Sequence, residues 1–190
     1  MNHYELDPAW YFNVPGLAWD ATLKIIQVQL ELLNDSDMLL MIESGIRGVI
    51  ATISHRHTRA NNEYNGTEFD PAEETKFISY LDANNLYGLS MSKQLPTSGF
   101  KWITDNELDD WKHLSCFLEV DLEYPEDLHD LHIDYPLAPE GIKIRNVDKL
   151  IPNLNNKTNY VMHCENLKLY EILGLKITKI HRGIKFEESA

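Results

Sequence analysis

Residues Phe77 to Gly88 read FISYLDANNLYG, and the change of character inside them restricts the fold more than any other stretch. Phe77, Ile78, Tyr80 and Leu81 form an apolar, β-favouring run of the kind that fills a buried strand. The run stops at Asp82, and two asparagines, an aromatic and a glycine follow. Asn84 to Ser92 then takes helical spacing, with Leu86, Leu89 and Ser90 on one side. A strand that ends at a carboxylate and turns into a helix belongs to an α/β layer, and such strand ends are where α/β proteins often build ligand sites.

The same alternation runs through the chain. Pro15 and Gly16 open a helix to about Val28, with Leu17, Ala21, Ile25 and Ile26 at helical spacing. Asp35 or Ser36 caps a second helix that turns Met38, Leu39, Met41 and Ile42 inward and stops at Gly45. Arg47 to Ser54 (RGVIATIS) reads as a strand, and Ala60 to Thr75 as an exposed polar loop or hairpin tip. Thr104 and Glu107 form a capping box before a short helix ending near His113, and Cys116 to Leu122 alternates as a strand. Pro125 to Pro139 is a long loop. Cys164 to Leu173 is a helix stopped by Gly174, and Leu175 to Glu187 closes the chain as a strand or hairpin. Both ends read as cut through structure.

At 190 residues, 43% hydrophobic and 25% charged, the chain suits one globular domain or part of a larger one. No apolar run is long enough to cross a bilayer, so no membrane partner is expected. The amino terminus, MNHYELDPAW, lacks the basic start and apolar stretch of a secretory signal, and an intracellular place, nuclear or cytoplasmic, is the expectation. Cys116 and Cys164 lack CxxC spacing and are too few for a disulfide framework or a zinc site; they read as two small core residues. The formal net charge of −13 argues against indiscriminate nucleic-acid binding by the whole surface. Any phosphate contact must be local. Acid gathers in Glu119 to Asp134, while Arg47, Arg56, Arg59 and then Lys176, Lys179, Arg182 and Lys185 form basic stretches, each a solvated face or a nucleic-acid track. The pairs His55/His57 and His129/His132 have no further ligands at metal spacing and read as solvent or core residues.

Asp82-Ala83-Asn84-Asn85-Leu86-Tyr87-Gly88 resembles the D-x-N-S-L-Y-P signature, the first palm motif of family B DNA polymerases. It takes the form carried by the protein-primed branch, and is similar to polymerases of self-synthesising DNA transposons and related viruses, where Met and Leu-Pro follow as Met91 and Leu95-Pro96 do here. Further blocks match in order: Ile46-Arg47-Gly48 and Ile53-Ser54-His55-Arg56 upstream, then Asp134 to Glu140 (DYPLAPE), Lys149 to Leu154 (KLIPNL) and Ile180 to Ile184 (IHRGI).

The resemblance implies a mixed, mainly antiparallel palm-like sheet with flanking helices, as an incomplete domain. Residues 1–45 would be the tail of an exonuclease domain and linker helices. Residues 46–190 would be the front half of the palm, with an inserted segment around 104–160. The implied activity is nucleotidyl transfer to a primer 3′-hydroxyl, with a DNA primer-template, deoxyribonucleoside triphosphates, Mg2+ or Mn2+, and a terminal protein primer as partners. Asp82 and the Ala83 carbonyl would hold metal, because phosphoryl transfer needs hard oxygen donors around a divalent cation. Ala83, Asn85, Leu86 and Tyr87 would bind the nucleotide, with Tyr87 as the sugar gate. Arg47 and Gly48 would contact DNA, as in the Y-x-G-G segment of the family, although Ile46 replaces the aromatic and Val49 the second glycine.

The same residues also have an ordinary reading. Asp82 would cap a helix, Asn84 and Asn85 would form a turn, and Tyr87 would fill core. The family's second carboxylate motif, D-T-D, and its K-x-x-x-N-S-x-Y-G helix do not occur here, so the chain alone is expected to be inactive. A decayed mobile-element relic, or a non-catalytic α/β interaction module whose acidic loop binds a basic partner, are the rival readings.

Overall fold

The computed structural model of the chain describes residues 4–48 and 50–189. Its helices are α1 (Val14–Ile26), α2 (Ser36–Gly45), α3 (Leu86–Met91), α4 (Asp105–Leu108), α5 (His129–His132) and α6 (Cys164–Ile172). Its strands are β1 (Leu95–Trp102), β2 (Cys116–Glu123), β3 (Glu140–Ile144), β4 (Val147–Ile151), β5 (Lys157–His163) and β6 (Lys176–Ser189). Four strands make an antiparallel sheet in the order β1-β6-β2-β5, and β3 pairs β4 as a separate hairpin. This is a mixed α/β fold with flanking helices.

Strand alternation decides which residues face which layer. On β2, Cys116, Leu118, Val120 and Leu122 are buried while Phe117, Glu119, Asp121 and Glu123 are less so. The buried row packs with Tyr160 and Met162 of β5, with Cys164 and Leu167 of α6, and with Trp111, Tyr124 and Ala138 from the connections. The opposite face holds a smaller cluster in which Met38 and Met41 of α2 meet Val161 and Ile184, flanked by Phe100, Trp102 and Phe117. The sheet therefore carries α6 on one face and α2 on the other.

Local chemistry explains the helix starts. The Asp35 carboxylate accepts from the Asp37 and Met38 amides, and the Asn13 side chain accepts from the Gly16 amide. Glu107 accepts from the Thr104 amide and hydroxyl at 3.1 and 3.0 Å, as the capping box requires, and also pairs with Lys185, the contact that does most to hold its carboxyl down at about 2.

Among the described residues, two expected strands do not form. Residues 50–54 and 77–83 form no sheet among the described residues, and only the Asn61–Lys76 bridge lies near them. Phe77, Ile78, Tyr80 and Leu81, expected to be buried, are exposed, Tyr80 to 94%. An apolar β-favouring run becomes a strand only where a neighbouring edge satisfies its amides and carbonyls, and among the described residues no strand pairs with either run. The polar loop before them is better organised than its composition implies. Asn61 and Asn62 are buried; the Asn61 amide donates to the Asp70 and Glu74 carbonyls and its oxygen accepts from the Asp70 amide.

The segment 104–160, expected as an insertion, supplies β2 to the middle of the sheet and the first half of β5 to its edge. In the expected exonuclease tail, α2 packs on the same sheet through Met38 and Met41.

Candidate nucleotide and metal site

Asp82, Ala83, Asn85, Leu86 and Tyr87 all lie on one exposed segment that leads into α3. Asn85 adopts the left-handed conformation at φ 56° and ψ 46°, which asparagine tolerates better than most residues. Its side-chain oxygen accepts from the Gly88 amide at 3.1 Å, so Asn85 starts the helix and fixes where Leu86 and Tyr87 point. Tyr87 is 75% exposed, so the ring is not core filling. Asp82 is also open to solvent, but it follows an unpaired extended run rather than the end of a sheet strand.

Gly88 is required for this cap. A Cβ there would lie 2.3 Å from the Asn85 side-chain nitrogen and 2.6 Å from its oxygen. Gly88→Ala is therefore expected to evict the Asn85 side chain and fray α3, at a local cost of about 1 kcal/mol. Amide exchange at Leu89 and Ser92 should quicken several-fold; unchanged protection would mean the helix does not depend on the cap.

Arg47 sits elsewhere and is occupied. Its guanidinium lies 3.8 Å from the centre of the Tyr160 ring, and Nη1 donates to the Val161 carbonyl at 2.7 Å and the Gly45 carbonyl at 3.1 Å. Tyr160 in turn donates to the Pro139 carbonyl, and burial pushes its phenol well above the usual range. Arg47 thus pins the end of α2 to β5. A Cβ on Gly48 would meet nothing, so no close approach within this chain demands glycine there, and Val49 lies outside the described residues.

The acidic and basic stretches, distant in sequence, face each other. Arg182 pairs with Glu119 at 2.5 Å, Lys176 with Glu123 at 3.0 Å, and His181 lies 2.8 Å from Asp121, all across the β2–β6 ladder. Opposite charges on adjacent strands attract, and here that contact uses much of the charge expected to form separate tracks. In the loop half of the acid run, His132 meets the Tyr124 hydroxyl at 2.8 Å, and both His129 and His132 stand edge-on to the Tyr124 ring.

Among the described residues no three His, Cys, Asp or Glu side chains gather as a metal-binding group. No described helix is long and apolar enough to cross a membrane. At the D-A-N-N-L-Y-G segment the donors are one carboxylate and adjoining carbonyls, all hard oxygen, a set suited to Mg2+ or Mn2+ but small. What the sequence did not reveal are the buried Lys157, which bonds Glu140 and Asn153, and the placing of Cys116 and Cys164 in one buried cluster. Lysine is read as surface by default, and cysteines far apart in sequence give no spacing signal.

No family model, curated protein or solved structure matches the chain.

Proposed function

We propose that this chain is the opening part of a palm of a protein-primed family B DNA polymerase and serves template-directed nucleotidyl transfer to a primer 3′-hydroxyl. The observation that carries the reading is the exposed D-A-N-N-L-Y-G segment, on which Asp82, Asn85 and Tyr87 are all open to a ligand from one short stretch of chain. Asp82 and the Ala83 carbonyl would hold a divalent cation, whose bound form supplies charge neutralisation for a triphosphate. Asn85 keeps its side-chain NH2 for phosphate, because its oxygen is committed to Gly88. The exposed Tyr87 ring offers a flat face to a deoxyribose. The partners would be a DNA primer-template, deoxyribonucleoside triphosphates, Mg2+ or Mn2+, and a terminal protein primer. With Arg47 held by Tyr160, Gly45 and Val161, DNA contact near it would fall to its remaining nitrogens and to the open backbone at Gly48.

A non-catalytic interaction module is the second reading, favoured by the exposed Phe77, Ile78, Tyr80 and Leu81, since contiguous apolar surface marks binding sites for other chains.

Mn2+ binding separates the two. One carboxylate and a carbonyl leave most of the hydration shell on the cation, so a Kd on the order of millimolar is expected. Asp82→Ala should weaken binding about tenfold, read from paramagnetic relaxation of water during Mn2+ titration of the chain and the variant. Equal binding by both would place the cation elsewhere, as in the acidic loop around Glu126, Asp127 and Asp130, and would remove the nucleotide-site reading.

A further inference from the structure

Every residue from 141 to 149, the span of the β3–β4 hairpin beyond its first rung, is exposed, so this ribbon has two open faces. Its base is fixed. Glu140 accepts from Lys157 Nζ at 3.0 Å and from the Asn153 side-chain nitrogen at 2.8 Å. Beyond that base the hairpin carries three cations, Lys143, Arg145 and Lys149, against one carboxylate, Asp148, in a chain whose formal net charge is −13. Among the described residues none of the three side chains enters an ion pair, hydrogen bond or ring contact, and Lys143 stays unpaired although Asp148 stands opposite it in the ladder. Cations of the main sheet are neutralised within the chain: Lys176 is held by Glu123, Arg182 by Glu119 and Lys185 by Glu107. The hairpin's charge has no such partner.

Register decides where the charges point. Ile142 pairs with Lys149 and Ile144 with Val147, so these four share one face, while Lys143 and Asp148 lie on the other. Lys143 and Lys149 therefore project from opposite faces. Arg145 is at the tip, where it and Asn146 take φ of 46° and 68°. Two-residue hairpin turns at positive φ favour Asn, Asp or Gly. Asn146 meets that preference and Arg145 does not, so turn stability does not account for the arginine. Beside Lys149, the apolar row of Ile142, Ile144 and Val147 is exposed.

We propose that the β3–β4 hairpin is an arm that enters the major groove of double-stranded DNA, with Lys143 and Lys149 on the phosphates of the two groove walls and Arg145 at the base edges. Two paired strands lie about 4.7–4.9 Å apart and five residues extend about 17 Å. The major groove, about 12 Å wide and 8.5 Å deep, admits such a ribbon. A partner with one surface, such as an acidic protein or an anionic membrane, would engage one face and leave the lysine on the other unpaired. A groove offers phosphate on both sides. The tip guanidinium suits guanine O6 and N7, and the apolar row suits thymine methyls. Elsewhere the excess of acid repels phosphate, which confines contact to the arm. The assignment rests on the charge and register of the hairpin and not on Asp82, so it stands or falls apart from the nucleotide site.

The test is fluorescence anisotropy of a labelled duplex of about 20 base pairs titrated with the 190-residue chain, without divalent metal or nucleotide, at about 50 to 200 mM salt. A Kd on the order of 10⁻⁵ M is expected at the low end, weakening roughly fortyfold across that range, since three neutralised phosphates give a logarithmic slope of about −3. Lys143→Gln and Lys149→Gln should each reduce the slope by about 1. Arg145→Asn should weaken binding about tenfold or more while the melting temperature holds or rises, because asparagine tolerates the positive φ at the tip. Lys101→Gln, which removes the same charge from β1, should leave binding unchanged. No binding at low salt, an unchanged slope in the triple variant, or equal loss with Lys101→Gln would overturn the proposal. So would binding to polyglutamate, single-stranded DNA or phosphatidylserine vesicles as tight as to the duplex, which would assign the arm to a one-faced partner.

Discussion

Gly183→Val is expected to destabilise the chain by about 3 kcal/mol or more. Gly183 lies where β6 crosses the centre of the sheet, opposite Leu118, and its carbonyl accepts from the Ile103 amide at 2.8 Å. A Cβ at this position would fall 2.7 Å from Leu118 Cδ2, 2.8 Å from Ile103 Cδ1 and 3.1 Å from the Phe117 carbonyl oxygen. Leu118 has no exposed surface into which to retreat, and the carbonyl belongs to the β2 backbone. Valine favours strands over glycine by up to about 1 kcal/mol. Overpacking in a closed core costs about 1–3 kcal/mol per insertion and occasionally more, and here three atoms are displaced by Cβ before the two methyls are added. The clash wins. The urea midpoint should fall with an unchanged slope, and the melting temperature by roughly 6–12 °C for a chain of this size. A midpoint equal to the parent's would mean that β6 can move away from Leu118. Glycine here is thus a packing requirement, whatever the IHRGI block contributes elsewhere.

The contrast between what could and could not be read in advance follows from where each element gets its stability. Asp35 ahead of Met38 and Met41, the Thr104–Glu107 box, the alternation of Cys116 to Leu122 and the stop at Gly174 are local signals, and α2, α4, β2 and α6 stand where they point. β1 carries no such signal: Leu95–Trp102 contains Pro96 and Gly99, and it is a strand because β6 runs beside it. β5 starts at a lysine and an unpaired edge. The β3–β4 hairpin turns at Arg145 and Asn146, both at positive φ, without the Asn-Gly pair that advertises this turn. In the opposite direction, Phe77 to Leu81 has the composition of a strand and none of the pairing. At the candidate site the same division holds. The exposure of Asp82 and Tyr87 was open to inference from their neighbours' ligand-like pattern, whereas the tie of Arg47 to Tyr160 and Val161 joins residues far apart in the chain, which no motif records.

Lys157→Ala should lower stability by about 3 kcal/mol, near the lower end of what breaking a buried ion pair costs. The Lys157 side chain has 0% exposure; its ammonium donates to Glu140 Oε2 at 3.0 Å, to Asn153 Oδ1 at 2.5 Å and to the Asn153 carbonyl at 3.3 Å. These bonds hold the first residue of β5 to the first residue of β3 and to the turn between the hairpin and the sheet. Removing the ammonium leaves a cavity and takes a donor from the two Asn153 oxygens and from Glu140 Oε2, which keeps only the bond from the Asn153 side-chain nitrogen. Glu140 keeps 32% of its side chain exposed, so it can recover some hydration, which places the cost below that of a fully sealed pair. The pair also sets a pH dependence. Burial alone would push the Glu140 carboxyl up, but donation from Asn153 and Lys157 outweighs it and the net shift is downward from 4.5. A depressed carboxyl contributes stability that is present above its unfolded value and is lost as pH falls through its folded value. Stability of the parent should therefore decline below about pH 4.5 with a component that Lys157→Ala no longer shows, because Glu140 without its ammonium loses part of the downward shift. The measurement is the urea midpoint of both proteins from pH 7 down to pH 3. Curves that stay parallel throughout would assign the acid limb to other carboxylates, such as Glu107 beside Lys185, and leave Lys157 with a packing role alone.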